Sequence, residues 1–215
     1  MLIKINLNIF LFLVLFLLTS QLEVYALVML FALIHELGHL LCGVLLGFEA
    51  ESLKIMPLGF AVEFKTNVKD YNKKIIKSNI LTLKKLFINW AGPLTNVIII
   101  IASIIMNVNE NILYANLIIL IINLIPIYPL DGGRIIKNTL KLLAGNRKAQ
   151  NYTNNISNIF VILVTVISSI AIYYYKNIAI LLALIFIWTL IINENKRYNT
   201  YNKIYKVIDK DNYYI

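Results

Sequence analysis

Six runs of apolar residues constrain this chain more than any other feature. They fall at about 5–20, 24–47, 87–106, 112–130, 157–175 and 177–193. Each is near the length a helix needs to cross the hydrocarbon of a bilayer, the first and last being on the short side. With 60% hydrophobic and only 14% charged residues, the chain has too little polar surface to be a water-soluble domain. The expected fold class is an all-α polytopic membrane protein. Its six transmembrane helices form one domain over 1–193, followed by a short tail over 194–215.

The net charge of +9 would raise the question of nucleic acid in a soluble chain. Its placement gives a better explanation. Nineteen of the 20 basic residues precede the first span, follow the last, or lie in the gaps after the second and fourth. Lys176 alone falls on the opposite side. The positive-inside rule then puts both termini in the cytoplasm, and the alternation supports the count of six. The charge is therefore topology, and no nucleic-acid partner is expected. Lys4, the first apolar run and Val24-Tyr25-Ala26 also fit a cleaved signal peptide, but the run is long for one. Cys42 is the only cysteine, so no internal disulfide forms.

Between spans two and three, SLKIMPLGFAVEFK (52–65) places β-branched and aromatic residues around Pro57 and Gly59. It predicts a short membrane-associated β-hairpin. Residues 66–86 are polar and lysine-rich and read as a surface helix or a loop. The tail predicts an amphipathic helix on the membrane surface.

Inside the second span, ALIHELGHLL (32–41) carries the chain's only two histidines and a glutamate. Ionisable groups at that depth are expensive and default to function. HELGH fits H-E-x-x-H. Residues four apart share one helix face, so His35 and His39 can offer two imidazole nitrogens to one zinc ion. Glu36 is turned about 100° away by the helical period and can reach water beside the metal. Zinc would acidify that water and polarise a scissile carbonyl, and Glu36 would take the proton.

A catalytic zinc needs a third protein ligand and an open position. Asp131, in NLIPIYPLDGGR (123–134), is the candidate. Pro126 and Pro129 break a helix there, and Gly132 and Gly133 allow tight backbone. An N-cap for the following helix explains Asp131 equally well. Cys42 shares the histidine face but lies about 7–8 Å further along the axis, beyond a zinc–sulfur bond. Polar groups that could line a water route are Asn89, Thr95, Asn96 and Asn123. Gly92-Pro93 would let helices approach closely. Ordinary small-residue packing explains these residues equally well.

With HELGH, WAGPLTN (90–96) and NLIPIYPLDGGR in that order, the chain resembles the site-2 protease family of intramembrane zinc metalloproteases. The resemblance covers about residues 1–200. MPLGFAVEFK (56–65), the WAGPLTN segment and IPIYPLDGGR look close to the sporulation members that process an inactive sigma-factor precursor. It implies zinc ligands His35, His39 and Asp131, a catalytic glutamate at Glu36, and one zinc per chain. It also puts a site asparagine at Asn123 and substrate placement on the hairpin. The expected lining of the substrate site is then Asn96, Asn123, Pro126, Gly59 and Phe60.

The implied partners are the bilayer, a membrane-associated protein substrate and inhibitory membrane proteins. Oligomers are compatible with this reading. The implied location is the bacterial cell membrane, for a sporulation member the mother-cell membrane around the forespore. Sporulation members carry a nucleotide-sensing CBS domain after the membrane part, but only about 22 residues follow span six, so none is expected. No PDZ insertion is visible. Other substrates fit the same chemistry: an anti-sigma factor, a pheromone precursor or remnant signal peptides. A non-catalytic scaffold or transporter is the reading from a different class.

Overall fold

The computed structural model describes residues 2–65 and 75–211. It is mostly helical, with one small sheet. In chain order the elements are β1 (Leu2–Ile5), α1 (Asn8–Leu18), α2 (Leu22–Leu45), β2 (Ala50–Met56), β3 (Gly59–Phe64), α3 (Ile75–Ile105), α4 (Glu110–Leu124), α5 (Asp131–Ala144), α6 (Asn146–Tyr175) and α7 (Ile178–Asp211).

All six apolar runs become helices, but their lengths correct the expectation. Among the described residues, four helices are long and apolar enough to cross a membrane: Leu22–Leu45, and the stretches Ser78–Ile105, Asn146–Tyr175 and Ile178–Tyr205. The 11 residues of α1 rise only about 16 Å and the 15 of α4 about 22 Å, short of the roughly 30 Å hydrocarbon core. The run at 112–130 stops as a helix at Leu124. Pro126 restricts the residue before it to extended conformations and has no N–H to donate, so Ile125 leaves the helix at ψ 132°. The expected span at 87–106 belongs to a helix that already starts at Ile75, and α6 and α7 likewise run past their apolar parts. The tail is therefore no separate surface helix. As far as Asp211 it continues α7 and packs on α6, where Tyr198 donates to Asn151 Oδ1 at 3.0 Å and Asn195 Nδ2 to Asn158 Oδ1 at 3.1 Å, and residues 212–215 lie outside the described residues. Of the segment 66–86, residues 66–74 lie outside the described residues, and the rest opens α3.

The hairpin is present as β2 and β3, antiparallel, with Leu53 opposite Val62 and Met56 opposite Gly59. The expected all-α class needs one more correction. Residues 2–5 form β1, a third strand parallel to β2, with Leu2 opposite Ser52 and Ile5 opposite Ile55. The order β1-β2-β3 leaves β3 at an edge. Glu63 ties all three strands together, accepting from Ser52 Oγ at 2.7 Å and Lys4 Nζ at 3.3 Å and pairing with Lys54. The sheet is docked on α2. Tyr25 donates to the Pro57 carbonyl at 2.8 Å, and a Cβ at Gly43 would collide with the Phe64 ring.

Burial is inverted relative to a soluble protein. Ile159, Ile162, Leu163, Val166, Ile167 and Ile170 of α6 are exposed, whereas His35, Glu36, His39, Asn96, Asn116 and Asp131 are buried. Intramembrane polar groups face the bundle interior in this way. Helix α2 lies against α3 and α4, and α3 also packs on α5. These contacts bring the second apolar run and the segment after the fourth to one place.

Candidate metal centre

His35 and His39 project from one face of α2 and are each 3% exposed. Their Nε2 atoms are 3.2 Å apart. Each ring is held from behind at Nδ1. His35 Nδ1 lies 2.7 Å from Asn96 Oδ1, and Asn96 Nδ2 donates onward to the Asn116 carbonyl at 3.3 Å. That second bond orients the amide, so its oxygen faces His35 and the ring nitrogen donates. His39 Nδ1 lies 2.7 Å from the Ile88 carbonyl, which can only accept. The Gly92 N–H also approaches Nδ1, at a longer 3.3 Å. The shorter contact places the proton on Nδ1 in both rings and leaves both Nε2 lone pairs free for a metal.

Helix α3 provides this backing, and Pro93 lies inside it. Proline cannot bond the carbonyl four residues back, and its ring pushes that turn open. Ile88, beside the opened turn, gives its carbonyl to His39. Gly92 backs the two Nε2 atoms directly. A Cβ there would sit 2.3 Å from His39 Nε2 and 2.6 Å from His35 Nε2.

Asp131 is the first residue of α5 and 4% exposed. Its Oδ2 lies 2.9 Å from both Nε2 atoms. The carboxylate is thus directed at the histidines. The expected N-cap role does not appear: Leu130 holds the cap position, with no side-chain cap bond. The glycines after Asp131 act through close approach. A Cβ at Gly132 would meet the Leu124 carbonyl at 2.2 Å, and one at Gly133 the Tyr128 N at 2.3 Å. Without side chains at those positions, the start of α5 tucks under the 124–128 loop and reaches α2.

Two imidazoles and a carboxylate are a donor set that suits zinc. Their ligand atoms lie within 4.8 Å of one another. Tetrahedral zinc with bonds near 2.0–2.1 Å sets its ligand atoms roughly 3.3 Å apart. The observed 3.2, 2.9 and 2.9 Å fall within a few tenths of that spacing. The side-chain-free face of Gly92 leaves room beside the donors, so the residues fit the ion.

Glu36 is 7% exposed and takes no part in the three-donor cluster. Its Oε1 accepts the backbone N–H of Val62, on the edge strand β3. In an antiparallel pair, alternate residues turn their backbone groups away from the partner strand. Val62 is such a residue, as are Phe60 and Phe64. No other strand covers this outer edge among the described residues, and it runs past Glu36.

The remaining predicted positions divide. Asn96 contacts a histidine, as above. Thr95 donates to the Ala91 carbonyl within its own helix. Asn89 is buried with its Nδ2 unpartnered among the described residues. Gly59 opens β3 directly after the hairpin turn, at φ 152°, and Phe60 packs on the Phe31, Ala32, Ala115 and Ile119 cluster. Pro126 and Asn123 are half-buried near the end of α4, and no hydrogen bond ties Asn123 to the cluster among the described residues. Cys42 is a half-buried free thiol outside the donor cluster. Sequence reasoning missed Asn116, fully buried behind Asn96. The rule that singled out Asn96, a lone amide in an apolar run, applied to it equally. The Ile88 carbonyl and the Val62 N–H carry no side-chain signal and were not readable.

Comparisons with known proteins identify the family and the fold. The model of Peptidase family M50 matches residues 23–112 and 101–167. Stage IV sporulation protein FB of Bacillus subtilis is 30% identical over 146 residues, 63% of this chain and 47% of that protein. A zinc metalloprotease of Methanocaldococcus jannaschii is 27% identical over 166 residues, 72% of this chain and 44% of that protein. The chain thus spans about half the length of the curated relatives it matches. The solved site-2 protease from Methanocaldococcus jannaschii superposes with a TM-score of 0.66 at 24% identity, covering 89% of each chain, and so shares the fold. With four helices among the described residues long and apolar enough to cross a bilayer, and with membrane-protease relatives, the protein is an integral membrane protein. The family model matches well over half of the sequence, and this chain belongs to Peptidase family M50.

Proposed function

We propose that this chain is an intramembrane zinc metalloprotease that cleaves a membrane-associated regulatory protein, a sporulation sigma-factor precursor of the pro-sigma-K type. The observation that carries the chemistry is the buried cluster of His35, His39 and Asp131 beside Glu36. The likeness to a sporulation protein supports the substrate class. All six apolar helices lie in the membrane in this reading, α1 and α4 where the bilayer thins around the sheet, with both termini cytoplasmic.

His35, His39 and Asp131 would hold the ion, with Asn96 and Ile88 fixing the two rings. Bound there, zinc supplies a Lewis acid that acidifies water and polarises a carbonyl. Glu36 takes the proton of the attacking water and returns it to the leaving amine, as a general base and then acid. The substrate reaches it by strand addition. An unwound segment pairs with the outer edge of β3, through the backbone groups of Phe60 and Phe64 and the Val62 carbonyl. The Glu36–Val62 contact keeps the base beside the peptide bond so presented.

Co-expression with the pro-sigma-K-like protein of the same organism tests this, scored by gel mobility. Wild-type protein should shorten the precursor and Glu36→Gln should not. Precursor left intact by both would refute the substrate assignment. Cleavage by Glu36→Gln at the wild-type rate would refute the chemistry.

A further inference from the structure

The two oxygens of Asp131 have different neighbours. Oδ2 faces both histidine Nε2 atoms at 2.9 Å. Oδ1 faces Arg134 Nη1, one turn along α5, at 3.8 Å. Lys137, the next cation along the helix, lies over the Tyr128 ring at 3.9 Å and serves elsewhere. Among the described residues, Arg134 is the only lysine or arginine within ion-pair reach of the donor cluster.

The geometry points to Arg134 as a positioning residue that keeps Asp131 a one-oxygen ligand through Oδ2, so that a coordination position stays open for water. The inference rests on the zinc-ligand role proposed above for Asp131. A carboxylate can give a metal one oxygen or two. A second oxygen from Asp131 would fill the position that distinguishes a catalytic zinc site from a closed structural one. A guanidinium beside Oδ1 opposes this. An oxygen paired with a guanidinium is a poorer second donor, and turning it onto the metal would stretch that pair. Outer-shell partners of ligating carboxylates set ligand orientation in this way. Arginine suits the task because its planar fork stays charged at any working pH and reaches a carboxylate oxygen without covering it.

The test uses the full chain in detergent, loaded with cobalt(II) in place of zinc. Cobalt absorbs strongly in the visible when four-coordinate and weakly when five-coordinate. Wild type should show the strong four-coordinate bands. Arg134→Ala should show weaker, shifted bands, a lower kcat with KM little changed, and metal affinity altered by about tenfold or more. Arg134→Lys should recover most of the wild-type spectrum. Should the alanine variant not fold, Arg134→Gln, neutral and of similar reach, carries the same expectation. A folded neutral variant with wild-type bands and wild-type metal affinity overturns the inference while leaving the zinc site intact. Wild type that takes up no cobalt, or Asp131→Asn with unchanged bands, overturns the ligand reading and the inference with it.

Discussion

Gly92→Ala should remove metal binding while changing a residue that offers no ligand atom. The added Cβ would lie 2.3 Å from His39 Nε2, 2.5 Å from His39 Cε1 and 2.6 Å from His35 Nε2. Ordinary contact begins near 3.4 Å, so about 1 Å of movement is needed, in a core that resists much smaller changes. Neither ring can yield freely. Each is pinned through Nδ1 at 2.7 Å, by Asn96 and by the Ile88 carbonyl. The helices have no slack either, because Gly38 of α2 already sits where a Cβ would meet Thr95 Oγ1 at 2.2 Å. Overpacking of this kind costs about 1–3 kcal/mol. If the rings move instead, both outer-shell bonds are lost, each worth about 10- to 100-fold in metal affinity, for a combined loss of at least about a hundredfold. The assay is zinc titration against a competing chelator, with thermal melting of the detergent-solubilised protein alongside. Gly92→Ala binding zinc at wild-type affinity with an unchanged melt would refute the placement of the site.

Further outcomes follow from the same contacts. Asn96→Ala removes the partner of His35 Nδ1 and should weaken zinc binding by about 10- to 100-fold with helix content unchanged, read by chelator competition and circular dichroism. Tyr25→Phe removes the donor to the Pro57 carbonyl and should cost about 0.5–1.5 kcal/mol in a denaturation curve, with zinc content retained. Hydrogen bonds from Lys54 and then Ser52 hold the Glu63 carboxyl down at about 2, from an ordinary value of 4.5. Because the folded value is the lower one, this contribution is complete above pH 4.5 and is lost as pH falls from 4.5 towards 2. It is small, since Glu63 is well exposed, and a pH series of melting temperatures should show it in wild type and not in Glu63→Gln.

The sequence exposed the metal centre well because membrane burial makes polar residues conspicuous. His35, Glu36, His39 and Asn96 stand out in apolar runs for the reason that keeps them buried in the fold. Asp131 was open between ligand and helix cap. What brings its carboxylate to the histidines is the placement of the start of α5, packed on α3, where Gly132 and Gly133 let the backbone approach the Leu124 carbonyl and the Tyr128 amide at short range. Helix lengths were less legible. Apolarity finds the lipid-facing part of a helix and misses polar continuations such as 75–86 and 194–211. It also counts past a break such as the one before Pro126. Strand β1 was hidden because its partner lies some 50 residues away and LIKI reads as the start of a span. Backbone contributions, the Ile88 carbonyl and the Val62 N–H, have no residue-type signature at all.

Zinc content and peptide-bond cleavage measured together on wild type, Glu36→Gln and His35→Ala test the central claim most directly. One zinc per chain is expected in the first two and none in the third, with cleavage only in wild type. Cleavage by Glu36→Gln at the wild-type rate, or zinc and activity retained in His35→Ala, would contradict it.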